Sequence, residues 1–190
     1  MKNELPKRKN LRLKCFDYST PGAYFVTVCT FNKQKTLSDI VCTSREDGAN
    51  ASSRIENRLT EYGKIVERII NQMPDSLKTR IDEYVIMPNH IHLIVIIDNS
   101  DELRAIRAEA SINLPAQRRS VISKTVGYIK MNTSKAIRKK FGDVRVWQRG
   151  FYDHIIRDRD DYANVVEYIR YNPLRWQYDS LNSERIKPNP

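Results

Sequence analysis

The chain has 190 residues, 40% of them hydrophobic and 29% charged, and a formal net charge of +10. That length supports one domain with a substantial core, and the composition excludes a wholly disordered chain. Cys15, Cys29 and Cys42 are odd in number and lack C-x-x-C spacing, so neither a disulfide framework nor a zinc ribbon is indicated, and a reducing interior is the natural setting.

Residues 1–19 are basic and irregular. Ala23 to Thr30 (AYFVTVCT) then alternates aromatic and β-branched residues and predicts a strand. Residues 39–57, rich in Ser, Asn, Asp and Gly, predict an exposed loop. Leu59, Ile65, Val66, Ile69, Ile70 and Met73 recur at helical spacing, so a helix is expected over 58–73, ended by Pro74. Asp82 to Met87 and Ile91 to Ile97 predict a central pair of strands separated by Pro88, Asn89 and His90.

The apolar run to Ile97 is far too short to span a bilayer, and the polar start MKNELPKRKN has no secretory core. A cytoplasmic, nucleoid-associated protein without a membrane partner is expected. Residues 98–118 form a second polar insertion. Val121, Ile122, Thr125, Ile129 and Ile137 then trace an apolar stripe on a basic helix over 119–140. Gly142 breaks it, Val144 to Trp147 and Tyr152 to Ile156 look extended, and Asp158 is placed to cap a third helix that Pro173 ends. The polar tail from Arg175 is expected to adhere loosely. This order fits an α+β fold: a ferredoxin-like split βαβ core, its antiparallel sheet packed against two helices on one face, plus a C-terminal helix. All of 1–190 is read as one domain, with its core over about 20–174.

The charge is concentrated. Arg118 to Arg159 holds twelve Lys or Arg and three acids, and the first fourteen residues hold six Lys or Arg and one acid. Such clustering suits a polyanion such as nucleic acid. In PNHIHLIV, His90 and His92 project from the same strand face roughly 7 Å apart and can converge on a metal ion. A buried strand that places two imidazoles on one face must find them polar partners, which favours the metal reading. In EYIRYNP, Tyr168 and Asn172 are four apart on one helix face, so an amide oxygen can reach an ion beside the Tyr168 hydroxyl. On the residues alone, Tyr168 can equally be a packing residue and Asn172 a cap before Pro173. Trp147, Arg149, Tyr152 and Arg157 mix rings with guanidinium groups as single-stranded DNA sites do, although core packing of the rings reads the same pattern. Lys124, Tyr128, Lys130 and Lys135 on the basic helix can line a DNA path or dock the helix. His154 is either structural or a phosphate contact.

From about Tyr24 to Pro173 the sequence resembles the single-tyrosine HUH transposases, and within them the REP-associated tyrosine transposases. The resemblance rests on YFVTVCT, on YVIMPNHIHLIV with its His-hydrophobic-His motif, and on WQRGFYDHIIRD followed by DYANVVEYIRYNP. It implies His90, His92 and Asn172 as metal ligands, Tyr168 as the nucleophile, and Mg²⁺ or Mn²⁺ as the ion. It also implies a hairpin-forming single-stranded DNA substrate, cut and rejoined through a 5′-phosphotyrosine by a monomer or homodimer. Tyr171 and Tyr128 are the competing nucleophiles. The alternative reading is a non-catalytic DNA-binding protein derived from a transposase. A phosphodiesterase with a hydroxide nucleophile, and a structural zinc site, are further options.

Overall fold

The computed structural model describes residues 20–45, 52–97 and 120–186. Strands β1 (Gly22–Cys29), β4 (Thr79–Met87), β5 (His90–Ile97) and β6 (Tyr152–Ile156) form one sheet, and β2 (Ser38–Arg45) pairs with β3 (Ser52–Leu59) in a separate ribbon. The helices are α1 (Glu61–Asn71), α2 (Val121–Phe141) and α3 (Arg159–Tyr171).

The sheet runs β4-β5-β1-β6 with every neighbour antiparallel. This is the split βαβ order, as expected. β5 (HIHLIVII) is almost wholly buried and takes the interior beside β1, whereas β4 and β6 have exposed positions and take the edges. The pleat divides β5 between two cores. Ile91, Leu93, Val95 and Ile97 pack with Tyr24, Val26 and Val28 beneath α1 and α2. On the opposite face Ile94 packs with Ile156, Val165 and Ile169, beneath α3. His90 and His92 share the parity of Ile94 and so face α3.

Each helix begins at a side-chain cap, the one at Asp158 as expected from the sequence. Thr60, Ser120 and Asp158 accept hydrogen bonds from the backbone N–H groups of Gly63, Ser123 and Asp161. α2 ends at Gly142, whose φ of +88° is a left-handed conformation that suits glycine.

Three local expectations change. The exposed loop over 39–57 is largely the β2–β3 hairpin: Cys42 pairs with Ile55 and Ile40 with Asn57, an alternation hidden among small polar residues. Ser38 Oγ and Asn57 Nδ2 donate to the Ile86 carbonyl at 3.1 and 2.8 Å, which ties this ribbon to β4. Val144 to Trp147 forms no strand, only an isolated bridge from Trp147 to Thr30. The tail from Arg175 does not adhere loosely over its described residues, 175–186: Asp179 and Asn182 are buried, and Asn89 Nδ2 donates to the Leu181 carbonyl at 2.8 Å. The basic arm at 1–19 and the 98–118 insertion lie outside the described residues. Among the described residues no helix is long and apolar enough to cross a membrane.

Candidate functional site

The two-residue turn at Pro88 and Asn89 joins β4 to β5 and is held from several sides. The Pro88 carbonyl accepts from the N–H groups of Thr36 and Leu37, and the Asn89 carbonyl accepts from Thr30 N–H and Thr30 Oγ1. His90 follows, fully buried, with His92 two residues on and 3% exposed.

The surroundings define how the imidazoles are used. Asn89 Nδ2 donates to Leu181, which turns Oδ1 toward His90 Nδ1 at 2.8 Å; the ring nitrogen therefore carries the proton and donates. The His90 Nε2 lone pair is left facing His92 Nε2 at 3.0 Å. His92 Nδ1 stands 2.8 Å from Thr27 Oγ1, its cross-strand neighbour, a hydroxyl able to donate or accept. Burial, reinforced by His92 and Lys33, pushes His90 well below the usual histidine range, and burial alone lowers His92 to about 3. Both rings are neutral at pH 7, the form that binds metal.

Tyr168 and Asn172 enter from α3. The Tyr168 hydroxyl lies 3.4 Å from His92 Nε2, and its ring packs edge-on to His92 at 5.2 Å between centroids. Phe25 braces both, stacked on His92 at 5.0 Å and edge-on to Tyr168 at 5.8 Å. Burial and the Asp179 charge raise the Tyr168 phenol above its ordinary value, while a hydrogen bond from Asn172 opposes the rise. The phenol is thus protonated at neutral pH until something favours its anion.

Asp179 joins the site without any local signal of spacing or motif. Its Oδ2 stands 3.8 Å from His90 Nε2, and its Oδ1 accepts from Leu181 N–H at 2.6 Å. Nitrogen and oxygen donors of His90, His92 and Asp179 all lie within 4.8 Å of one another. Asp179 Oδ2 and Asn172 Oδ1 are buried without a hydrogen-bond partner among the described residues. Stranded oxygens of this kind are costly, and a cation would satisfy them. Two neutral imidazoles and a carboxylate fit a divalent ion, with Asn172 a further oxygen donor.

The remaining predicted residues lie elsewhere. Trp147 is a core residue rather than an open stacking ring, 6% exposed with its indole N–H donating to Thr133 Oγ1 at 2.7 Å. Tyr128 packs against the same core. Lys124 and Lys135 are exposed along α2 on the far side of the sheet, and Lys130 donates to the Gln148 and Gly150 carbonyls at 2.6 and 2.9 Å. Arg149 and Arg157 are exposed, as is Tyr152 at 47%. His154 pairs with Asp161 at 3.0 Å, across the start of α3. Tyr171 is exposed; of the described tyrosines, Tyr168 is the one whose ring packs on His92.

No family model matches the chain. A Haemophilus influenzae protein without an assigned function is 33% identical over 185 residues, spanning 92% of each chain. A second H. influenzae protein, whose name places it among the REP-associated tyrosine transposases, is 31% identical over 184 residues and covers 88% of this chain and 84% of its own. The chain belongs to the REP-associated tyrosine transposase family. An Escherichia coli REP-associated tyrosine transposase is 23% identical over 130 residues, covering 66% of this chain and 63% of its own. The fold also matches a solved REP-associated tyrosine transposase, determined bound to a REP hairpin, with a TM-score of 0.51 over 88% of this chain and 76% of that one at 19% identity.

Proposed function

We propose that this REP-associated tyrosine transposase cuts and rejoins hairpin-forming single-stranded DNA, with Tyr168 as the nucleophile and His90, His92 and Asn172 as ligands of a divalent ion. The observation that carries this reading is the Tyr168 hydroxyl at 3.4 Å from Nε2 of His92, itself 3.0 Å from Nε2 of His90. A nucleophile and two neutral nitrogen donors converge on one point, with two oxygens lacking partners nearby. Asp179 joins the donor set on geometry alone.

In the reaction the Tyr168 oxygen bonds to the scissile phosphorus as the bond from phosphorus to the 3′ oxygen breaks. The phenol proton is lost and the departing oxygen gains one, leaving a 5′-phosphotyrosine and a free 3′-hydroxyl. Attack by a 3′-hydroxyl on that phosphotyrosine reverses the chemistry and joins strands without ATP. Mg²⁺ or Mn²⁺, when bound, supplies positive charge that neutralises the phosphate oxygens and favours the phenolate. The protein's own part is positioning: Phe25 fixes the angle of Tyr168 against His92, Thr27 and Asn89 orient the imidazoles, and Asn172 donates toward the Tyr168 oxygen.

The test is incubation of a hairpin single-stranded DNA library with wild type, Tyr168→Phe and the double variant His90→Ala/His92→Ala, with Mn²⁺ or Mg²⁺, followed by a denaturing gel. A metal-dependent adduct in wild type, missing from both variants, supports the reading. Cleaved DNA without any adduct would replace it with a hydroxide mechanism.

A further inference from the structure

The chemistry above occupies one face of the sheet, yet most of the α2 cations lie on the other. The segment from Arg145 to Tyr152 connects the two. It runs beside α2 and then becomes β6, which among the described residues is an edge strand paired only to β1.

On the α2 face this segment and the helix bound a groove of about 710 Å³, lined by Lys130, Arg138, Arg145 and Arg149 among others, with no Asp or Glu among the described lining residues. That size is within the range of sites for small organic groups. Arg145 lies over the Phe31 ring at 4.2 Å, which orients its guanidinium group, and Arg138 pairs with the exposed Asp143 at 3.4 Å. On the opposite face, Tyr152 is in register with Thr27, and Thr27 with His92. Two strand spacings set Tyr152 roughly 10 Å from His92 along one row of the pleat. Its neighbour Phe151 points the other way, into the α2-side core. Gly150, at φ +84°, sits where the chain turns between groove and strand.

A row reading His92, Thr27, Tyr152 across the sheet, ending in an exposed aromatic at an open edge, is what a stacking platform beside a scissile phosphate requires. We infer that single-stranded DNA flanking the hairpin wraps the β6 edge, with a base next to the cleaved phosphate stacked on Tyr152 and the continuing backbone lying in the Lys130–Arg149 groove on the opposite face. The inference rests on the DNA reading proposed above and adds a path and a stacking residue to it.

The experiment uses full-length protein and a hairpin selected from a random single-stranded pool, made with flanks of increasing length and with 2-aminopurine placed at each flank position in turn. In wild type, fluorescence is quenched at one position adjacent to the cleavage point. Tyr152→Ala relieves that quenching and weakens binding of the flanked hairpin roughly tenfold, whereas Tyr152→Trp keeps both. Gly127→Phe fills the groove, since a Cβ there meets nothing within 4 Å, and it and Arg149→Glu weaken binding only once the flank is long enough to reach the groove. Gly127→Ala and thermal melts serve as the folding controls. Affinities independent of flank length, or quenching unchanged in Tyr152→Ala, overturn the path even when the covalent adduct forms normally. The expected pattern in a wild-type protein that forms no adduct upholds the path and removes the cleavage reading instead. Failure of wild type to bind any hairpin overturns both.

Discussion

Tyr168 and His92 meet across the junction of α3 with the sheet, hydroxyl to Nε2 at 3.4 Å, and Phe25 touches both rings. The contact depends on β1 as much as on α3, because Phe25 is the residue that sets the tilt of one ring against the other. Phe25→Leu keeps an apolar side chain of similar reach but removes the flat surface. Adduct formation is expected to slow on the order of ten- to a hundredfold, as a misplacement near 1 Å does. Hairpin affinity should stay within about twofold of wild type. Rapid-quench kinetics and equilibrium binding, measured side by side, check the split.

The buried imidazoles give the protein a characteristic pH response. His90 and His92 are held below their ordinary range by burial, His92 at about 3. Between that value and the unfolded pKa near 6.5, the unfolded chain binds the proton and the folded one does not, so stability falls as pH falls. His92 contributes a slope of about 1.4 kcal/mol per pH unit there and none above about pH 7, and His90 acts in the same direction. Denaturant unfolding of metal-free protein at pH 7.5 and 5.5 should show this loss, and His92→Ala should flatten it. Because folded rings stay neutral, Mn²⁺ affinity at pH 6 should nearly match that at pH 7.5, which isothermal titration measures.

Trp147 reads in the sequence either as a DNA-stacking ring or as a core residue, and its burial against Thr133 assigns it to the core. Trp147→Phe loses the indole N–H···Oγ1 bond at 2.7 Å and leaves a gap beneath α2. A loss of about 1–3 kcal/mol is expected in chemical denaturation. Hairpin binding by the folded variant should be unchanged; a selective loss of affinity would return Trp147 to the DNA surface.

Two glycines make opposite predictions. A Cβ at Gly63 would sit 2.1 Å from the Leu37 carbonyl oxygen, where α1 packs on the backbone leading into β2, so Gly63→Ala should cost about 1–3 kcal/mol. At Gly127, mid-helix in α2, a Cβ meets nothing within 4 Å, and Gly127→Ala should gain about 0.5–1 kcal/mol by helix propensity. Paired thermal melts decide both.

What could be seen in the sequence follows from how local each signal is. The strands around YFVTVCT and IHLIVII, the cap at Asp158 and the stop at Pro173 are short-range patterns, and they give α3 with Tyr168 and Asn172 on one helix face, whereas the sheet face that α3 covers is set by long-range packing. The pairing of His90 with His92 is equally local. Phe25, Thr27 and Asp179 belong to the site only through long-range relations. Thr27 and Phe25 reach His92 through the β1–β5 register and its side-chain neighbours, which periodicity within one strand does not encode. Asp179 lies in a polar tail whose burial depends on Asn89 holding Leu181. The β2–β3 ribbon was hidden for a different reason, since Ser, Asn and Asp carry turn propensity that masks a sparse alternation of Ile40, Cys42 and Ile55.

The most direct measurement is peptide mass spectrometry of the protein after reaction with hairpin DNA and Mn²⁺, followed by nuclease and protease digestion. The account predicts a nucleotide remnant joined through a 5′ phosphate to the peptide containing Tyr168, on that residue. A remnant on Tyr171 or Tyr128, or cleaved DNA with no modified peptide, would contradict it.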